Sequence, residues 1–257
     1  MVRENMARIM LTPEESMVLL EVALKHPVKL VVNALGTPPK DLVDDLHARG
    51  IKVGSLVGSP KHARDQLAVG VDVLVAQGSE AGGHTGTISS MVLWPQVIDL
   101  AGEVPVLAAG GIGRGRQMAA ALAMGAEGVW TGSIWLGTAQ SELEPALKER
   151  LFSARSEDAI QSRAMTGKPA RMLRSRFTEA WNQPGAPATL PMPLQTLATV
   201  EPLLRINRAK HEEFMTYPVG QIVGEMREER QVRDVVRELM EDLLTAQERL
   251  NRIIETD

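Results

Sequence analysis

Cysteine is missing from all 257 residues. Its absence excludes disulfides, thiolate metal sites and cysteine nucleophiles, and suits an enzyme kept in the cytoplasm. No uninterrupted apolar run approaches the roughly 18–20 residues that a membrane-spanning helix needs. The opening Met1-Val2-Arg3-Glu4-Asn5 lacks the apolar stretch of a signal peptide. Positive charge is not in excess: 28 Lys and Arg stand against 32 Asp and Glu, a net charge of −4. Neither nucleic acid nor a membrane is therefore expected as a partner. No histidine pair has the HExxH spacing, so no metal site is expected. What is present is an ordinary globular composition, 44% hydrophobic and 23% charged. The length suits one large α/β domain, or one domain with an appendage.

Helical and strand patterns alternate from Thr12 to Ser141. Thr12-Pro13-Glu14-Glu15 is a capping box that opens a first helix. Thr37-Pro38 and Ser59-Pro60 open two more. Apolar runs beginning near positions 28, 52, 72, 104 and 128 predict strands about 25 residues apart, a spacing that suits repeated βα units. Three helix-ending glycines, Gly50, Gly70 and Gly125, each lead directly into a strand. Short, doubly buried strands between helices imply a parallel sheet, open or closed into a barrel. After Ser141 the pattern changes. Pro145 to Arg155 and Glu157 to Met165 read as helices, and Asn182 to Pro193 as a surface excursion rich in proline. Glu228 to Leu250 reads as a long amphipathic helix. Residues 1–142 are expected to form the βα part and residues 143–257 a helical cap packed on it.

Three segments can carry chemistry. The first is Gln77-Gly78-Ser79-Glu80-Ala81-Gly82-Gly83-His84-Thr85-Gly86, directly after the strand Val71 to Ala76. Glycines there allow close approaches that a Cβ would forbid, and the end of a strand is where α/β proteins place their chemistry. A lone histidine is more often structural, but this position favours catalysis by His84. Glu80 reads as a carboxylate that orients the loop backbone. The second segment, Val104 to Arg116, is a strand, the turn Gly110-Gly111 and a helix start. Such an N-terminus is an anion site. Arg114 and Arg116 there are either solvated charges or neighbours of that anion. The third, Trp130-Thr131-Gly132-Ser133, closes the next strand. In (β/α)₈ barrels a phosphate sits between two such consecutive loops. Trp130 and Trp135 read as space-filling.

With these segments in place, the chain resembles the nitronate monooxygenase family, FMN-dependent flavoprotein oxidoreductases built on a TIM-type barrel. Gly167-Lys168-Pro169-Ala170-Arg171 and Pro218-Val219-Gly220-Gln221 extend the likeness over nearly the whole chain. The resemblance implies FMN as cofactor, with Gln77 and Gly82 beside it. It also implies that Gly110 and Gly111 hold the phosphate from one side, and Trp130, Thr131, Gly132 and Ser133 from the other. His84 would face the flavin across the substrate. The implied reaction converts a nitronate or nitroalkane and O2 into a carbonyl compound and nitrite. His84 would act as base toward a neutral nitroalkane, or as a polar contact to the nitronate.

Counted against that family, the chain opens on the helix before the fourth strand. The expected fold is α/β, a partial (β/α)₈ barrel holding strands four to eight with a C-terminal helical cap. Five strands cannot close such a barrel, so a truncated form that binds FMN poorly alone is expected. An FMN-dependent NAD(P)H reductase of the enoyl-acyl-carrier-protein or quinone reductase type remains an alternative. So does a non-catalytic remnant. A homo-oligomer is compatible with all three.

Overall fold

The computed structural model describes residues 13–255; Thr12 and the opening five residues lie outside them. Helix α1 (Pro13–Ala23) leads to β1 (Leu30–Asn33). Then α2 (Lys40–Ala48), β2 (Lys52–Val57), α3 (Pro60–Val69), β3 (Val73–Gln77), α4 (Ser90–Ala101), β4 (Val106–Ala109), α5 (Gly115–Ala123) and β5 (Gly128–Trp130) alternate. β1, β3 and β4 start one or two residues later than their apolar runs suggest. α2 starts at Lys40 rather than at Thr37-Pro38, with Pro39 as its extended N-cap. α3 begins as expected: Ser59 Oγ accepts the His62 N–H at 3.2 Å, and Pro60 fills the first turn, where its missing N–H costs nothing. Gly50, Gly70 and Gly125 all take positive φ, 70°, 90° and 97°, which releases each helix into the next strand.

The five strands pair in parallel and in sequence order. This matches the expected partial barrel. Registers such as Gln77 with Ala109 and Ala109 with Trp130 bring the strand ends together. Because side chains alternate, each strand presents two faces. Val53, Val57, Leu74, Ala76, Val106 and Ala108 are buried with Val43, Leu46, Ala63, Leu93, Trp94, Val97 and Ala121 of the helices. The other face carries Val32, Leu56, Val73 and Leu107, half-buried around the buried Val75, and ends at Gln77, Ala109 and Trp130.

Asp72 ties this layer together. Its carboxylate accepts from Lys52 Nζ at 2.8 Å, His47 Nε2 at 2.7 Å and the Val53 N–H at 2.8 Å. Burial pushes its pKa up, but these hydrogen bonds outweigh burial and hold it below the ordinary carboxylate value. A depressed native pKa gives stability that is present above the unfolded pKa, about 3.9, and lost as pH falls through the lower native value. Asp72→Asn should therefore lose stability at neutral pH and flatten the acid limb below about pH 4. Urea melts from pH 2.5 to 7 check this; parallel curves for the two proteins would disprove it.

Beyond β5, a short 3₁₀ turn (Ser133–Trp135) precedes α6 (Pro145–Ser153). The reading of Glu157 to Met165 as helix is corrected here. β6 (Ala159–Ser162) and β7 (Ala170–Leu173) form an antiparallel hairpin instead, so the cap is not purely helical. Pairing with β7 satisfies the backbone in a way the local sequence does not reveal. α7 (Arg176–Ala180) follows, then the irregular 182–193 segment, α8 (Leu194–Ala209) and α9 (Val232–Ile254). Leu151, Leu173, Met215, Val219 and Val223 form the centre of a second core. Val235 and Leu239 of α9 pack with Ile134 and Ile222 in a third, which joins the cap to the sheet layer.

Candidate active site

The loop after β3 is fastened on two sides. On the sheet side, the Gly78 N–H donates to Ala109 O at 3.0 Å, and Trp94 Nε1–H bridges Ala76 O and Ala109 O. The Glu80 carboxylate accepts the Ser90 N–H at 3.0 Å, and Ser90 Oγ–H is shared between Glu80 and Gly110 O, each at 2.9 Å. Glu80 thus sits as an anion at the start of α4, which matches its reading as an orienting carboxylate. On the cap side, Gly83 and Arg171 exchange backbone hydrogen bonds of 2.9 and 2.7 Å. The Arg171 guanidinium donates to Ser79 O at 2.8 Å and to Ala159 O. Burial lowers its pKa, and the Glu80 charge partly offsets that.

His84 is held at one nitrogen. Its Nδ1 lies 3.1 Å from Pro169 O. A carbonyl oxygen only accepts, so this contact assigns the proton of the neutral ring to Nδ1 and leaves the lone pair on Nε2. The side chain lines a cavity of 370 Å³ together with Gln77, Leu56, His62, Thr85 and Lys168.

Gln77 also lines a second cavity of 280 Å³, along with Gly82, Gly110, Gly111 and residues 130–133. Every residue expected beside the cofactor is therefore brought to one place, with His84 in the adjoining cavity. Gly110 and Gly111 take positive φ, 96° and 72°. The N–H groups of Gly111, Gly132 and Ser133 find no protein acceptor among the described residues. A Cβ on Gly132 would meet nothing within 4 Å. Unsatisfied amides from two turns, beside space that a Cβ would enter, suit a phosphate held by backbone. The residues present fit the phosphate end of FMN.

The amides left without an acceptor lie in the turns, while those of Gly113, Arg114 and Arg116 around the helix start have partners. Around the start of α5, Gly113 and Arg114 N–H donate to Gln117 Oε1, and Arg116 N–H to Asp242 Oδ2 at 2.8 Å. The Arg116 guanidinium pairs with Asp242 at 2.7 Å and Arg114 with Glu225 at 2.8 Å. Hydrogen bonds from the Arg116 side chain and backbone hold Asp242 below the usual carboxylate range. Both arginines answer carboxylates of the cap. Trp130 is 39% exposed and lines the 280 Å³ cavity, so it does not fill core space. Trp135 buttresses the turn through Nε1–H to Thr131 O at 3.1 Å.

Sequence reasoning gave no role to the cap residues that wall this cavity, Pro218, Gly220 and Ile222. Gly220 N–H donates to Ser133 Oγ at 2.8 Å, and Gln221 N–H to Glu80 O at 2.9 Å. The cap also presses on Gly82: a Cβ there would lie 2.8 Å from Val219 Cα. The signal was the Pro218-Val219-Gly220-Gln221 run, legible only through the resemblance.

A family model described as nitronate monooxygenase matches residues 4–242. The Mycobacterium tuberculosis protein Rv1533 is 47% identical over 95% of this chain and 67% of its own length. An indene-carboxyl-CoA dehydrogenase of the same organism is 38% identical over 62% of this chain and 45% of its own. A nitroalkane oxidase structure from Streptomyces ansochromogenes superposes with a TM-score of 0.80 at 33% identity, covering 90% of this chain and 68% of that one. The chain thus spans about half to two thirds of the length of the curated relatives it matches.

Proposed function

Because the chain belongs to the nitronate monooxygenase family, we propose that it is a flavin oxidoreductase that oxidises a nitronate or nitroalkane with O2 to a carbonyl compound and nitrite. FMN is the cofactor in this reading. The observation that carries it is the meeting of two cavities at Gln77, free backbone amides in one and His84 in the other. Gly111, Gly132 and Ser133 would hold the phosphate, and Gly220 and Ile222 would shield it from water. Bound FMN supplies the one-electron acceptor for the substrate. His84 Nε2 would take the α-proton of a neutral nitroalkane, while the Nδ1–H bond to Pro169 O keeps the ring oriented. With a preformed nitronate the same atom serves only as a polar contact.

The likeness to an indene-carboxyl-CoA dehydrogenase favours a second reading, an FMN-dependent reductase of the enoyl-acyl-carrier-protein or quinone reductase type that consumes NADH or NADPH. Nitronate-dependent oxygen uptake without nicotinamide separates the two. The first test is titration of the purified chain with FMN, read by flavin absorbance and fluorescence, followed by oxygen uptake and nitrite release. Flavin below stoichiometry as isolated, saturable binding of added FMN and nitronate-dependent uptake are expected. No binding at millimolar FMN would leave only a non-catalytic protein. Gly132→Ala should fold like the parent, within about 0.5 kcal/mol, yet bind FMN more weakly. Equal FMN affinity in the two proteins would remove residues 130–133 from the phosphate site.

A further inference from the structure

We propose that Lys168 binds the negative charge of the substrate in the His84 cavity, making this protein select anionic substrates over neutral ones. The proposal rests on assigning that cavity to the substrate. Its lining contains Lys168, His62 and His84 and no carboxylate, although acidic residues outnumber basic ones in the chain. Other clefts differ: one pairs Arg150 and Arg174 with Glu149 and Asp158, another Arg116 with Asp242. Lys40, Lys52, Lys61, Lys148 and Lys210 each meet a carboxylate, while Lys25 and Lys29, which line none of these clefts, do not among the described residues. Lys168 Nζ has no hydrogen-bond or ion-pair partner among the described residues.

The backbone beneath Lys168 is fixed. Its N–H donates to Thr166 Oγ1 at 3.3 Å, and Thr166 Oγ1–H donates to its carbonyl at 3.2 Å. Gly167 before it has φ 80°, and a Cβ there would lie 2.0 Å from Leu190 O. Pro169 after it accepts the His84 Nδ1–H. One turn therefore orients His84 and fixes the backbone from which Lys168 extends, which keeps the ammonium within reach of the same cavity. Lys168 is exposed at this cavity, where an ammonium without a carboxylate partner attracts an anion from solvent. Toward a preformed anion, Lys168 would do its work in the ground state as well as the transition state, so its loss should appear in KM and not in kcat.

The test uses Lys168→Met and Lys168→Arg in the full chain. With a preformed nitronate, Lys168→Met should raise KM about tenfold or more and hold kcat within about twofold; the neutral nitroalkane, which gains its charge only as His84 removes the proton, should lose kcat and keep its KM. Arginine, which keeps the charge, should restore most of the KM. A readout independent of the flavin is nitrate, a small planar anion, titrated against the imidazole nitrogen resonances of His84. Nitrate should shift them in the parent and at least tenfold more weakly in Lys168→Met. Nitrate binding that depends on Lys168, without any nitronate turnover, would support the anion site and sink the proposed reaction. Turnover that needs His84 while nitronate KM and nitrate binding ignore Lys168 would overturn this proposal and keep the reaction.

Discussion

Alanine at position 84 is expected to lower kcat/KM for a neutral nitroalkane by about 10²–10⁴, the usual contribution of a positioned general base. A preformed nitronate has already lost that proton, so its rate should fall far less. The asymmetry follows from the tautomer: Nδ1 is engaged by Pro169 O at 3.1 Å, which leaves Nε2 as the basic atom. Folding should suffer little, since losing a single half-buried hydrogen bond costs about 1 kcal/mol. Parallel kinetics on a nitroalkane and its nitronate, with thermal melts as the control, decide the matter. Equal losses on both substrates would make His84 a polar contact and not a base. Unchanged rates on both would remove it from the site.

Gly115→Ala should cost far more stability than Gly132→Ala. A Cβ there would lie 2.0 Å from Leu239 O and 2.3 Å from Leu243 N, both main-chain atoms of α9. Backbone cannot rotate aside as a long side chain does, so α9 must shift as a body. That movement separates Val235 and Leu239 from Ile134 and Ile222 and pulls Asp242 from the Arg116 N–H. Overpacking of this kind typically costs about 1–3 kcal/mol, and the upper end or beyond is expected. Urea denaturation should show the loss, and limited trypsin digestion should cut first at Arg233, Arg237 or Arg249 of the freed helix. A Gly115→Ala protein as stable and as resistant as Gly132→Ala would contradict the packing of α9 on α5.

The sheet was legible in the sequence because its signals are local. Ser59-Pro60 caps α3 through its own hydroxyl, and Gly50, Gly70 and Gly125 end helices by their own φ. The His84 loop was legible because a glycine-rich stretch after a buried strand has few other uses. What escaped depends on partners far along the chain. β6 reads as helix until β7 is placed beside it, and Arg116 reads as a free cation until Asp242 of α9 arrives 126 positions later. Gly82 looked like a contact for the cofactor alone. Its lack of a side chain also answers the backbone of Val219.

The seam between sheet and cap runs through the site itself. Gly83 shares hydrogen bonds with Arg171, Glu80 O takes the Gln221 N–H, and His84 leans on Pro169. Neither half of the chain sets His84 alone. A chimera joined between β5 and α6, with its cap drawn from a relative, would therefore inherit the orientation of its histidine from the donor. Exchange of caps would then change the setting of His84 without altering a residue of the loop that carries it.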